Sequence, residues 1–452
     1  MSLISKYNVA APRYTSYPTV PYWEENSFNP DSWKALLKKS FLESNGKDGI
    51  SIYIHLPFCE SMCTYCGCNK YITVNHGVEA PYIAALLKEW QLYVNTFGSK
   101  PRIREIHLGG GTPTFFSAEN LTTLLKGIYS LAELLPDACL SFEGHPGNTT
   151  PEHLQTLYNL GFRRISLGIQ DFDRRVQEII NRLQPFEMVA SVVENARKIG
   201  FTSINFDLIY GLPLQTTNSM QNTIDKVVRL HPDRISFYSY AHVPWIKGTG
   251  QRRYTEADLP GDEEKRQLYE LGKLLFDSNG YTEIGMDHFA LPGEALHTAF
   301  KQGRLHRNFM GYTVSHTSLL VGLGASSIGD NWYAYVQNEK QIDAWQELVN
   351  KGEFPVVRGH ILNEEDLLLR KHIQDLMCHF ETTWHKADTQ CDAVIEGLQR
   401  LQELEKDELV EVSPQKVMVT AKGKPFIRNI CMAFDARLWR QVPHSQLFSK
   451  SI

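Results

Sequence analysis

Between residues 50 and 240 the hydrophobic and polar positions repeat one theme: a short β-branched run, a loop, then an amphipathic helical pattern. The runs fall at 50–55, 103–108, 139–143, 164–169, 203–207 and 234–239, with helical spacing between them, as at 82–87 and 154–158. Strands that alternate with helices predict βαβ units around a parallel sheet. Six units predict an α/β fold, a partly open parallel (β/α)6-type barrel over residues 49–290, preceded by an N-terminal extension (1–48). After about residue 290 the rhythm changes. Residues 318–325 could add a strand beside the barrel, within a flanking segment over 291–360. Helical patterns at 364–379 and 393–404, with a hairpin at 409–412 and 416–420, predict a small, mainly helical C-terminal domain over 361–452, in the manner of a winged helix.

In such folds the chemistry gathers where strands end and the following loops begin. Those positions here are polar or conformationally special. They hold a cysteine loop after His55, Gly109-Gly-Gly-Thr-Pro-Thr114, Glu143-Gly-His-Pro146, Gln170-Asp171, Asp207 and Tyr240-Ala-His242.

Composition narrows the chemistry only a little. The 452 residues are 42% hydrophobic and 21% charged, ordinary for a chain that buries a large core. A net charge of -5 gives no electrostatic footprint for nucleic acid. No stretch nears the ~18 unbroken apolar residues of a membrane span, and residues 1–19 do not read as a signal peptide. A cytoplasmic location is therefore expected, where thiols stay reduced. Of the eight cysteines, four lie within ten residues, so that group reads as metal-binding or catalytic. Cys139, Cys378, Cys391 and Cys431 read as core or surface thiols.

The clustered segment is Cys59-Glu-Ser-Met-Cys63-Thr-Tyr-Cys66-Gly-Cys68. A C-x3-C-x2-C spacing lets three thiolates turn around one inorganic centre. Iron–sulfur clusters commonly take four cysteines, so three would leave one iron open to a small molecule. The alternative, a structural zinc site, ordinarily pairs two C-x2-4-C units, and there is no second pair here. Cys68 lies too near Cys66 to share a tetrahedron without strain.

A C-x3-C-x2-C loop after the first barrel strand resembles the radical S-adenosylmethionine (SAM) superfamily. More specifically, Arg13-Tyr-Thr-Ser-Tyr-Pro-Thr19, Tyr53-Ile-His-Leu-Pro-Phe-Cys59, Cys66-Gly-Cys-Asn-Lys70, Asp207-Leu-Ile-Tyr-Gly-Leu-Pro213, Met286-Asp-His-Phe-Ala290, His306-Arg-Asn-Phe309 and Arg428-Asn-Ile-Cys-Met432 look like the oxygen-independent coproporphyrinogen III oxidases. The resemblance implies a [4Fe–4S] cluster on Cys59, Cys63 and Cys66, with SAM bound at the open iron. It implies oxidative decarboxylation of two propionates of coproporphyrinogen III to vinyls by a 5′-deoxyadenosyl radical, giving protoporphyrinogen IX. A reduced flavodoxin-like donor and a monomer are expected with it. No side-chain acid or base is required, so no catalytic residue is named.

The family binds two SAM molecules. Tyr53, Gly110, Glu143 and Ile328 match positions around the first. Tyr65, Gly111, Thr112, Gln170, Arg182, Asp207 and Ala241 match positions around the second. Read without the resemblance, Arg182 is a surface helix arginine and Asp207 a helix N-cap. Cys68 is either a thiol near substrate or a small residue in a tight loop. Arg13, Lys70 and Arg307 are candidates to meet the substrate carboxylates, or else solvated surface charges.

Two departures stand out. Gly144-His145-Pro146-Gly147 occupies a segment where better-known members carry an acidic residue before the proline and an arginine after it, which bears on the first SAM pocket. Met310 replaces a glutamine expected near the second SAM, and a thioether cannot donate a hydrogen bond. Two other readings remain: a haem-binding chaperone of the same family, and another radical SAM reaction on a tetrapyrrole.

Overall fold

The computed structural model describes residues 3–24, 28–244, 250–251, 253–441 and 447–451. Each predicted run becomes a strand: β1 (Ile50–Leu56), β2 (Arg102–Gly110), β3 (Glu133–Gly144), β4 (Arg164–Gln170), β5 (Ser203–Tyr210) and β6 (Arg234–Ser239). They lie side by side in chain order, and every neighbouring pair is parallel. Parallel pairing requires a crossover, and helices Glu79–Phe97, Ala118–Ser130, Pro151–Asn159, Phe186–Ile199 and Thr217–Leu230 provide one in each gap.

Alternate residues of each strand face opposite sides, so each strand sorts its own chemistry. Ile52, Ile54, Ile106, Leu108, Leu140, Phe142, Ile165, Leu167, Ile204, Phe206, Ile235 and Phe237 are buried in one core with Leu86, Trp90, Leu125, Val189 and Ile224 of the helices. The intervening positions are polar: Ser51, Tyr53 and His55 on β1, Glu105 and His107 on β2, Ser141 and Glu143 on β3, Asn205 and Asp207 on β5. The helices thus cover an apolar face and leave a polar one for the site.

The sheet continues past the six. β7 (Thr282–Gly285) and β8 (His288–Ala290) add antiparallel at the β6 edge. β9 (Leu320–Leu323) joins β1 in parallel, as the 318–325 run suggested. β10 (Ile328–Asp330), β11 (Ala334–Asn338) and β12 (Val356–Ile361) extend that side antiparallel. The order is β12-β11-β10-β9-β1-β2-β3-β4-β5-β6-β8-β7, with β12 and β7 as its edges, so the sheet is open and not a closed barrel.

A second core lies in the C-terminal region, where helices Glu364–His379 and Asp392–Lys406 pack with a three-stranded sheet. Leu369, Ile373, Leu376, Val394, Leu401 and Val417 fill it, together with Tyr7, Tyr14 and Tyr17 from the N-terminal segment. Helix Pro30–Ser44 sends Trp33, Leu37 and Phe41 into the first core instead. The described part of the N-terminal extension therefore contributes to both.

Candidate active site

The cysteine loop leaves β1 and is clamped by the end of β2. Gly111 N–H donates to Leu56 O (2.9 Å) and Thr112 N–H to Phe58 O (3.0 Å). The glycine run makes this closure possible. Gly110 has φ +119°, and a Cβ there would lie 2.8 Å from the His55 ring; one on Gly111 would lie 2.5 Å from Pro57 O. The close approach that needs glycine is thus that of strand to loop. It brings the Thr112 hydroxyl to 3.3 Å from Cys59 Sγ. On the far side Tyr71 N–H donates to Pro57 O and Thr73 N–H to Cys59 O, closing the loop's stem.

Cys59, Cys63, Cys66 and Cys68 line one cavity of about 500 Å³. Arg182 donates to Gly168 O (2.8 and 3.2 Å) and directs Nη1 at Cys63 Sγ, 3.5 Å away. It is held by the end of β4 and lines the cavity, so it is not a solvated helix arginine. Lys70 Nζ donates to the carbonyls of Cys66 and Cys68. The Cys66 thiol is drawn down to about 6, first by a hydrogen bond from Cys68 and, against burial, by Lys70. Burial pushes the Cys59 thiol up to about 11, with Thr112 opposing it. Among the described residues no three His, Cys, Asp or Glu donors converge on a single ion position. A cluster asks for something else, one thiolate for each of several irons, and a cavity wall carrying three thiols with cations behind them fits that demand.

The positions matched to SAM separate between two adjoining cavities. Tyr65, Gly111, Thr112, Gln170, Arg182 and Asp207 line the larger one with the thiols. Tyr53 and Ile328 line a smaller one of about 300 Å³. Gly110, Glu143 and Cys68 belong to both walls. Ala241 lines neither; its carbonyl accepts from Gln251 Nε2 (3.1 Å), which also reaches Tyr65 O (3.3 Å). Asp207 sits within β5 and is not an N-cap. Its carboxyl accepts from Ser166 Oγ (2.7 Å) and Asn205 Nδ2 (2.9 Å), and burial raises it to about 6. Glu143, at the end of β3, accepts from Gly110 N–H (3.2 Å) and lies 3.3 Å from His107 Nε2. Gln170 ends β4 in the left-handed region at φ +66°, an uncommon conformation for a residue with a side chain.

Both departures fall in the cavity opposite to the one expected. His145 and Gly147 line the larger, thiol-bearing cavity, because the loop after β3 turns toward it. Met310 lines the smaller one with Phe309 and Ile328. Of the three basic candidates only Lys70 lines either cavity. Arg13 pairs with Asp287 (3.1 Å) and donates to Ser239 O (3.2 Å). Arg307 is 9% exposed and donates to the carbonyls of Arg13 and Tyr14. Both hold the N-terminal segment, whose buried carbonyls need donors. Sequence reasoning missed His107, whose ring stacks on Tyr53 at 6.0 Å and bonds Ser141 Oγ at 2.8 Å. The available signal was polar residues at alternate positions of β2.

Residues 53–227 match the model of the Radical SAM superfamily. The chain is 37% identical over 460 residues to the oxygen-independent coproporphyrinogen III oxidase of Escherichia coli (strain K12), covering 100% of this chain and 98% of that protein. It is 38% identical over 459 residues to that of Helicobacter pylori (strain J99), covering 99% and 98%. The solved structure of E. coli coproporphyrinogen III oxidase (HemN), described as a radical SAM enzyme, superposes with a TM-score of 0.87 at 37% identity, over 94% of this chain and 97% of that one. With thiols, glycine run and strand-end carboxylates placed on one open parallel sheet, this chain belongs to the oxygen-independent coproporphyrinogen III oxidase family of the radical SAM superfamily.

Proposed function

We propose that this protein converts two propionate side chains of coproporphyrinogen III to vinyls without oxygen, yielding protoporphyrinogen IX and carbon dioxide. The reading rests on end-to-end similarity to proteins named for that oxidation, which favours it over the haem chaperone. Cys59, Cys63 and Cys66 would hold a [4Fe–4S] cluster, and the larger cavity a SAM molecule beside it. Together these supply a 5′-deoxyadenosyl radical for hydrogen abstraction. Each propionate gives up a β-hydrogen atom, carbon dioxide and one electron, so no protein acid or base is needed. What the chain must do is bind, orient and exclude water.

Thr112 and Arg182 steady Cys59 and Cys63. Tyr65 packs with Ile180, Ile209 and Leu212 beside the thiols and keeps water from that wall. The Glu143 and Asp207 carboxyls offer acceptors for ribose hydroxyls or an amino group. The first of the family's two SAM molecules would take the smaller cavity, with Tyr53, Gly110, Glu143 and Ile328 around it, and the second the larger one. A small reduced protein of the flavodoxin kind would deliver electrons to a cytoplasmic, monomeric enzyme. Among the described residues no helix is long and apolar enough to cross a membrane.

The test is anaerobic. The reconstituted protein is given dithionite, SAM and coproporphyrinogen III, and deoxyadenosine and tetrapyrrole masses are followed together. Deoxyadenosine with a product lighter by two formic-acid equivalents is expected. Deoxyadenosine with unchanged coproporphyrinogen would remove the substrate assignment and leave the superfamily chemistry.

A further inference from the structure

We propose that His145 is a SAM-binding residue, donating a hydrogen bond from Nε2–H to an acceptor of the SAM molecule in the larger cavity; this rests on the SAM-dependent reading above. His145 follows β3 directly and lines that cavity together with the thiols. Its Nδ1 accepts from Gly147 N–H at 3.0 Å, which places the ring proton on Nε2. Nε2 has no protein partner among the described residues. The ring is neutral: burial, then the positive charge of Arg182, holds its pKa down to about 3.

The backbone around it is fixed. His145 O accepts from Asn148 N–H (2.9 Å), Thr149 N–H (3.0 Å) and Thr149 Oγ1 (2.9 Å). The neighbouring glycine is part of the arrangement, since a Cβ on Gly147 would lie 3.2 Å from both Nδ1 and Cε1 of the ring. Arg182, the cation nearby, is already directed at Gly168 O and Cys63. His145 thus offers a neutral donor to a carboxylate, ribose oxygen or adenine nitrogen on this side of the cavity, which Asn148 and Gln170 also line. Tight packing alone would explain a ring here, but it would not require a nitrogen at that edge.

Three variants separate shape from donor: His145→Ala removes both, His145→Phe keeps the ring, and His145→Gln restores an N–H at a similar reach. SAM affinity of the reconstituted protein is measured by equilibrium dialysis and by the SAM-dependent change in the electron paramagnetic resonance of the reduced cluster. Iron content and the thermal transition confirm folding. A hydrogen bond to a charged or strongly polar ligand predicts about tenfold weaker SAM binding in His145→Ala and His145→Phe, and recovery to within about threefold in His145→Gln. His145→Phe binding SAM as tightly as the unaltered protein overturns the proposal, whether or not coproporphyrinogen binding changes. An unaltered protein that binds SAM yet leaves coproporphyrinogen III intact would instead sink the functional reading and leave this test standing.

Discussion

Cys68 and its neighbour Cys66 show how much two adjacent thiols can differ. Both line the same cavity, yet the loop places Cys68 on the wall shared with the smaller cavity, where Glu143 also lies. Replacing Cys59, Cys63 or Cys66 with Ala is expected to abolish iron and sulfide incorporation and turnover together. Cys68→Ala is expected to keep the cluster, and loss of iron there would make it a ligand. Gly111→Ala tests the clamp that seats the loop. Its Cβ would meet Pro57 O at 2.5 Å, so β2 must draw back, at a cost of about 1–3 kcal/mol. Lower iron loading with an intact far-ultraviolet spectrum is the expected result. The grouping of the thiols was legible in sequence because their spacing is local. Arg307 was not, because its partners, the carbonyls of Arg13 and Tyr14, lie almost three hundred residues away and no periodicity links them.

The six central strands were legible as elements for a related reason: each carries its apolar face in a run long enough to see, and a helix follows it. The arm β10–β12 was not, because its antiparallel strands of three to six residues, the last reached only after helix Ile342–Asn350, are too short to leave a period to read. Glu89 ties that arm to the sheet. It lies fully buried in helix Glu79–Phe97 and accepts from Gly324 N–H (2.8 Å), Asn338 Nδ2 (2.6 Å) and Trp345 Nε1 (3.2 Å). Burial raises its carboxyl to about 7 from the 4.5 of an exposed glutamate. Folding therefore favours the protonated form. The associated stability is complete below pH 4.5 and is lost as pH rises through 7, a change on the order of 3 kcal/mol across that window. Glu89→Gln stays neutral throughout, so its urea midpoint is expected to fall less between pH 5 and pH 8 than that of the parent protein. Identical pH slopes would place the titration elsewhere.

Across the whole molecule the N-terminal segment stitches the second core to the wall of the site. Tyr14 OH donates to Asp435 (3.0 Å), Asn429 Nδ2 to Tyr7 O (2.9 Å), and Arg428 to the carbonyls of Pro12 (3.0 Å), Ala11 and Lys450. On the other side Arg13 pairs with Asp287 between β7 and β8, and its guanidinium lies 5.8 Å from the ring centroid of Tyr238, which lines the larger cavity. Motifs at the two ends of the chain, Arg13–Thr19 and Arg428–Met432, thus belong to one contact, which their separation in sequence concealed. Arg428 is the strongest link, being buried and bonded to both terminal segments. Arg428→Met keeps much of its length but leaves the carbonyls of the buried Ala11 and Pro12 without that donor, at about 1–3 kcal/mol for each. Because the segment's own aromatic residues stay in the core, the loss is expected to be local opening and not global unfolding. Trypsin should then cleave after Arg13 at least tenfold faster than in the parent protein, while sites within β1–β6 keep their protection. Unchanged cleavage at Arg13 would mean that Tyr7, Tyr14 and Tyr17 hold the segment without help from the guanidinium.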